Sequence, residues 1–251
     1  MKSTLVIAAL SCCVGIVAEG QNVISFNYDA YAAVSGAAAT AGVVPAAYWN
    51  DSYLIDSNAG NGNSTYSSLL DNSGTATTLS LATTAFGVYQ IQGSDPGLDG
   101  DGTYNRRMLN GYINAGSSVT PVTTSFALIS IPYAAYNIYV YFTSDTANRT
   151  GTISDGATTY DFSTMGPAEI ASANALFTQT TDTGGNNPSA GYAVFSGLSG
   201  ASQTITANIA NFGGLAGIQI VAVPEPGVVT LTIMGGLGLL VLVHRKSKSA
   251  Y

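Results

Sequence analysis

Three carboxylates, Asp95, Asp99 and Asp101, stand in one glycine-rich loop, Gly93-Ser94-Asp95-Pro96-Gly97-Leu98-Asp99-Gly100-Asp101-Gly102. Carboxylates on a glycine-bent loop can turn oxygens toward Ca²⁺, a hard cation that takes roughly six to eight oxygen ligands. Asp99, Asp101 and Thr103 follow an EF-hand loop only in part, since no glycine holds the sixth position and no terminal glutamate follows. The competing reading is a solvated turn whose charge Arg106 and Arg107 answer, and it is preferred. A second constellation surrounds Trp49, the only tryptophan, with Tyr48 before it and Asn50 and Asp51 after it. An indole beside an amide and a carboxylate suits a sugar ring, which needs an apolar face and directional hydrogen bonds. An anchor in the core explains the same ring, because tryptophan buries a large area, and that is the first expectation.

Catalysis is argued against by inventory. The sole histidine, His244, lies beyond the last apolar run, and residues 21–223 contain no lysine. Cys12 and Cys13 both fall in the N-terminal leader. Ser-His-Asp, Cys-His, Ser-Lys and Schiff-base chemistries therefore lack a member. A glycosidase needs only two carboxylates, but Glu169 is the single glutamate of residues 21–223 and the aspartates mark no pair. The expectation is a protein that is not an enzyme, with no catalytic residue.

The elements that must position these groups are read from hydrophobic period. Period-two alternation bounded by turn residues recurs at Asn22–Tyr28, Thr75–Leu81, Ala85–Gln92, Val119–Ile131, Tyr136–Phe142, Gly151–Ser154, Thr158–Phe162, Tyr192–Phe195, Gln203–Ala207 and Gly217–Val223. Thr75–Leu81 and Ala85–Gln92 read as a pair, and Pro121 sets Val119–Ile131 at a sheet edge. Tyr136–Phe142, Tyr-Asn-Ile-Tyr-Val-Tyr-Phe, reads as a central strand buried on at least one face. Asp155-Gly156 predicts a type I′ hairpin. Helical spacing is confined to Tyr104–Asn114 (Met108, Leu109, Tyr112, Ile113) and, more weakly, to Ala168–Leu176 after Pro167. Many short strands and little helix predict an all-β fold, an antiparallel β-sandwich of jelly-roll type over residues 21–222. No repeat sustains the flat threonine array of an ice-binding surface.

Residues 21–223 carry twelve acidic side chains against Arg106, Arg107 and Arg149, a net charge of about −9. Nucleic-acid binding needs a basic face to displace counterions, so no nucleic acid is expected as a partner. Without cysteine the domain has no disulfides, yet about 200 residues can bury a sufficient core without them.

The two ends are apolar. Met1-Lys2, the run Leu5–Val17 and Ala18-Glu19-Gly20 read as a signal peptide over 1–20, cleaved before Gln21. At the other end, 223–248, stand Pro224-Glu225-Pro226, an uncharged run Val228–Val243 and then Arg245, Lys246 and Lys248, with a tail over 249–251. The run rises about 25 Å as a helix, so with Gly227 and flanking residues it is read as one transmembrane helix. The basic residues after it are stop-transfer charges that hold the C-terminus in the cytoplasm.

This tail resembles the PEP-CTERM sorting signal of exported bacterial proteins, also known as the ice-binding-protein C-terminal domain. Gly227 stands where that signal usually has Ser or Ala, and the basic cluster is mixed rather than all arginine. The resemblance implies an exosortase-type membrane protease as partner, reading Pro224, Glu225 and Pro226 and removing the helix. It implies an inner-membrane intermediate and then the cell surface or the extracellular space. More loosely, Ala41–Asn50, Tyr136–Phe142, Gly191–Ser199 and Gly217–Val221 resemble a galactose-binding-like jelly roll found in exported proteins with such tails. That implies the fold and, as an alternative to a structural surface protein, a carbohydrate-binding module for surface polysaccharide.

Overall fold

The computed structural model describes residues 21–29, 34, 36–53, 62–91, 95–117, 122–172, 174 and 177–224. The leader and residues 225–251, which hold Glu225, Pro226, the apolar run and Arg245, Lys246 and Lys248, lie outside the described residues. No helix among the described residues is long and apolar enough to cross a membrane.

In chain order the strands are β1 (Val23–Asp29), β2 (Asn50–Tyr53), β3 (Ser64–Tyr66), β4 (Ser80–Thr84) and β5 (Gly87–Gln90). After the single turn α1 (Asn105–Met108) come β6 (Gly111–Asn114), β7 (Thr124–Ile129), β8 (Ala135–Thr143), β9 (Thr150–Ser154) and β10 (Thr159–Thr164). A second turn, α2 (Pro167–Ile170), precedes β11 (Ser189–Ala190), β12 (Tyr192–Ser199), β13 (Ser202–Ile209) and β14 (Gly214–Ala222). They make two sheets. The first runs β12-β8-β14-β1-β2, with β6 beside the start of β14 and β5 beyond it. The second runs β11-β10-β9-β13-β7-β4-β3. Pairing is antiparallel except at β1–β2 and β10–β11, so both sheets are mixed.

Between the sheets lies the main core, an all-β sandwich interior built by alternation. On β8, Tyr136, Ile138, Val140 and Phe142 point inward. They meet Phe126, Leu128, Ile153, Phe162 and Ile205 of the second sheet, and Phe142 stacks on Phe162 at 3.7 Å between ring centroids. On the opposite face of the first sheet the centre is covered, while Asn137, Tyr139 and Val194 stay half-buried. Tyr141 and Ala216 pack with Val34, Ala39, Ala41, Trp49, Met108, Leu109 and Ile170 in a second cluster. The segment 36–49 and both helical turns thus cover the outer face of the first sheet, and β14 is buried on both sides.

That double burial accounts for the central polar contact. Gln219, fully enclosed in β14, accepts a 2.5 Å hydrogen bond from the Tyr141 hydroxyl through Oε1. Its Nε2 donates to the Val44 carbonyl (2.9 Å) and to Ser25 Oγ (3.1 Å). The Tyr141 hydroxyl accepts in turn from the Val43 amide at 2.8 Å. Gly42 has φ +94°, and a Cβ there would come within 2.5 Å of Gln219 Oε1. The covering loop is thereby tied to both β8 and β14.

Several sequence expectations change. Thr75–Leu81 and Ala85–Gln92 are not partners: β4 and β5 belong to different sheets, and the chain crosses between them at Ala85-Phe86. Alternation alone does not say which sheet a strand joins. The helical reading of Tyr104–Asn114 holds for one turn only, and Gly111–Asn114 is β6, buried at all four positions. Met108, Leu109, Tyr112 and Ile113 are buried by tertiary packing on several elements, which imitates a helical stripe. The helical expectation at Ala168–Leu176 is likewise a single turn, α2. β7 lies inside its sheet between β13 and β4, and Pro121 falls outside the described residues. Asp155-Gly156 is not a two-residue type I′ turn. Ser154 pairs with Thr159 across a four-residue loop in which, of these two residues, only Gly156 has positive φ.

Replacing Gln219 with leucine removes the acceptor of the Tyr141 hydroxyl and the donor to Val44 and Ser25. The expected cost is about 3 kcal/mol, since each orphaned buried polar group costs roughly 1–3 kcal/mol. For a domain of this size that lowers the thermal midpoint by roughly 6–12 °C. An unchanged midpoint by circular dichroism would remove Gln219 from its central place.

Candidate functional site

Trp49 is 2% exposed, its indole Nε1 donating to the Ala46 carbonyl at 3.0 Å and its ring tilted against Tyr141 at 6.2 Å. A ring so enclosed offers no face to a sugar, which corrects the ligand-binding reading in favour of the anchor. Its neighbour Asn50 is occupied as well, bonding the Ser25 and Leu70 carbonyls and the Leu70 amide at 2.8–2.9 Å.

The aspartates of the glycine loop answer internal donors. Asp95 takes both bonds of a fork from Arg107, Oδ1 from Nε at 2.9 Å and Oδ2 from Nη2 at 2.7 Å. Asp99 is buried, and its Oδ2 accepts from the Thr103 hydroxyl (2.9 Å) and the Arg106 amide (3.2 Å). Asp101 Oδ1 accepts from the amide (2.9 Å) and hydroxyl (2.8 Å) of Thr103. Arg106 sends its guanidinium to the carbonyls of Leu98, Ile170 and Ala171, clamping the loop to α2. Among the described residues no group of three or more His, Cys, Asp or Glu side chains converges as a metal site. Glu169 caps its own helical turn, its Oε2 accepting from the Gly166 amide at 2.9 Å.

The Pro224-Glu225-Pro226 triplet begins directly after the folded strands. β1 and β14 are antiparallel neighbours with Val23 opposite Val221, so the domain's first and last strands meet at one end. The Ala222 amide bonds the Asn22 carbonyl and the Val223 amide bonds the Ala135 carbonyl, both at 2.9 Å. Pro224 comes next and is exposed.

A cavity of about 190 Å³ elsewhere in the domain escaped the sequence reading. It is lined by Phe86, Tyr89, Tyr112, Asn114, Asp145 and Phe212. β5 and β6 supply Tyr89, Tyr112 and Asn114, the β8–β9 loop supplies Asp145, and the β13–β14 turn supplies Phe212. Tyr89 packs on Tyr112 (5.7 Å) and Phe86 meets Phe212 edge-on (6.2 Å). Tyr112 is fully buried, its hydroxyl beside the Asp145 backbone amide. Burial and the nearby Asp145 carboxylate push its pKa up. Asp145 bonds Arg149 Nη2 (2.7 Å) and the Ser144 hydroxyl (3.2 Å), both through Oδ1.

No family model, curated protein or solved structure matches this chain.

Burial raises the Asp95 carboxyl, but the Arg107 bonds, the Gly97 amide and the arginine charges outweigh it and hold its pKa below the usual value. The backbone amide and hydroxyl of Thr103 depress Asp101, and Asn186 with neighbouring amides depresses Asp182. Folded values below unfolded ones mean the unfolded chain binds more protons, so this stabilisation is present above about pH 4 and is lost as pH falls further. The thermal midpoint is expected to fall between pH 4 and pH 2.5. A variant with all three changed to asparagine should start lower at pH 7 and show a flatter acid limb; an equally steep limb refutes the assignment. Millimolar Ca²⁺ or EDTA is expected to leave the midpoint unchanged, because Arg107, Thr103 and backbone amides already occupy these carboxylates. A rise of several degrees with Ca²⁺ would restore the metal reading for Asp95, Asp99 and Asp101.

Proposed function

We propose that this chain is an exported, non-enzymatic cell-surface or extracellular-matrix protein, sorted and cleaved through its C-terminal PEP-CTERM-type tail. The observation that carries the reading is the order Pro224-Glu225-Pro226, the uncharged run Val228–Val243 and the basic residues Arg245, Lys246 and Lys248. The fold supports it. Among the described residues the last backbone hydrogen bond is that of the Val223 amide, and Pro224, which opens the motif, is exposed beside it. Prolines hold the backbone extended and withhold a ladder donor, the form in which a protease reads a peptide. The run then acts as the transmembrane helix and the basic residues as its cytoplasmic stop. An exosortase-type membrane protease is the partner this implies. The sandwich is assigned to the jelly-roll type.

All three arginines of the domain are engaged internally, Arg106 with loop carbonyls, Arg107 with Asp95 and Arg149 with Asp145. That leaves an acidic surface, suited to solubility in an exported protein and unsuited to anionic lipid or nucleic acid.

The C-terminal peptide of the protein recovered from a host with such a protease tests this by mass spectrometry. The expected terminus lies near Pro224-Glu225-Pro226, and Glu225→Ala should leave the chain in the membrane fraction. A wild-type peptide running to Tyr251 in that host would replace sorting with a permanent anchor.

A further inference from the structure

We propose that the end of the sandwich from which Pro224 leaves is a lipid-contact face, seated on an uncharged headgroup layer while the tail is uncut. This contact presupposes the transmembrane reading of Val228–Val243 proposed above, and it adds a partner for the folded domain itself. The tether carries the first observation. Only Pro224, Glu225, Pro226 and Gly227 separate Val223 from the apolar run. Five steps of extended chain reach about 17 Å, at roughly 3.3–3.6 Å each. The run rises about 25 Å against a hydrocarbon core of roughly 30 Å, which draws the linker in, and the headgroups add about 5–8 Å on each side. Val223 therefore sits at the headgroups or just above them. Before its removal the leader is a second short tether at the same end. β1 lies beside β14, and only Ala18–Gln21 separate Asn22 from the run Leu5–Val17.

The second observation is what that end presents. The starts of β1, β8 and β13 and the ends of β7, β12 and β14 meet there. Ile129 is 54% and Val223 37% exposed, and Pro132, Ala134 and Ala201 are exposed beside them. Single apolar side chains on a surface are ordinary. The lack of charge is not, in a domain of net charge about −9. No arginine lies at this end: Arg106 and Arg107 are on α1, and Arg149 precedes β9, whose start lies beside the far end of β13. Its acids, among the described residues, are Asp71 and Asp155, and each closes its own turn through Oδ1. Asp71 accepts from the Ser73 and Thr75 amides at 2.9 and 3.0 Å, and Asp155 from the Ala157 and Thr158 amides at 2.9 and 2.7 Å.

The loops of this end are tied to one another. Asn72 Oδ1 accepts from the Val23 amide at 3.1 Å, the Ala201 carbonyl from the Ile131 amide at 2.9 Å, and the Ser130 carbonyl from the Thr78 hydroxyl at 2.9 Å. A fixed face of apolar and hydroxyl groups suits zwitterionic headgroups, whereas anionic lipid is recognised by clustered lysines and arginines. A weak contact suffices, because the tether keeps the face at high effective concentration over the lipid.

The test uses the full chain with its tail uncut, Cys12 and Cys13 changed to serine, reconstituted in phosphatidylcholine vesicles. A fluorophore is attached at Ala201→Cys or at Ala210→Cys, exposed positions at the two ends of β13 and about 30 Å apart at roughly 3.3 Å per residue. Phosphatidylcholine with a nitroxide on its headgroup is the quencher. Quenching at 201 should exceed that at 210 at least about threefold, and should hold from about 50 to 500 mM salt, since no charge drives the contact. Six Gly/Ser residues inserted after Gly227 slacken the tether by about 13 Å. Quenching at 201 should survive that insertion, and Ile129→Asp with Ala134→Asp in the slackened chain should reduce it about threefold, with the thermal midpoint as the check on folding. Equal quenching at the two positions, its loss on slackening, its loss in high salt, or no change in the folded double variant would overturn the proposal. A chain that does not float with the vesicles sinks the transmembrane reading and this contact together. One that floats with 201 no better quenched than 210 sinks the contact alone. A floating, quenched chain whose tail stays uncut in a host with the protease sinks only the sorting.

Discussion

The structure depends on burying β14 from both sides. A strand covered by a sandwich core on one face is ordinary. This one is covered on the other face too, by a loop layer and two helical turns, so nothing polar on it can turn to water. Gln219 sits there and is tolerated because each of its polar atoms finds a partner from a different element: Tyr141 of β8, Ser25 of β1 and Val44 of the loop. An unpaired amide in that position would be costly, so the three elements must arrive together. Gly42 and Gly214 belong to the same constraint. A Cβ on Gly42 would strike Gln219, and one on Gly214 would strike the Ile113 carbonyl where β6 crosses beside β14.

How much of this the residues foretold varies with the distance over which each contact is made. Tyr136–Phe142 was legible because alternating large side chains encode a strand locally, and both faces of β8 are filled by them. β1 and the end of β14 were legible for the same reason. Gly111–Asn114 misled, since a segment buried at every position carries no period, and the flanking Met108 and Leu109 completed an apparent helical stripe. The pairing of β4 with β7 rather than β5 depends on non-local contacts that no local pattern records. The covering layer was equally hidden, because the segment over 36–49 has little regular structure of its own.

The sites divide in the same way. Pro224-Glu225-Pro226, the proposed sorting signal, is a linear pattern and can be read without a fold. Of the aspartate loop only the Asp95–Arg107 pair, twelve residues apart, was legible; Asp99 is buried rather than solvated, and the Arg106 guanidinium goes to backbone carbonyls. The aromatic cavity was not legible. It gathers positions 86, 89, 112, 114, 145 and 212, and no spacing links them. One local sign existed: Asn211-Phe212 lies in the short connection between β13 and β14, where an aromatic residue is uncommon.

The meeting of β1 and β14 at one end has a mechanical side. Ladder bonds run perpendicular to the strands, so tension applied to the last residues acts along β14 and loads its bonds to β8 and β1 in shear, many at once. Tension between the two ends of the domain instead opens the Val23–Val221 end first and breaks the pairs singly, as in a zipper. The same strand is therefore strong when hauled from one terminus against the rest of the domain, and weak when the two termini are prised apart.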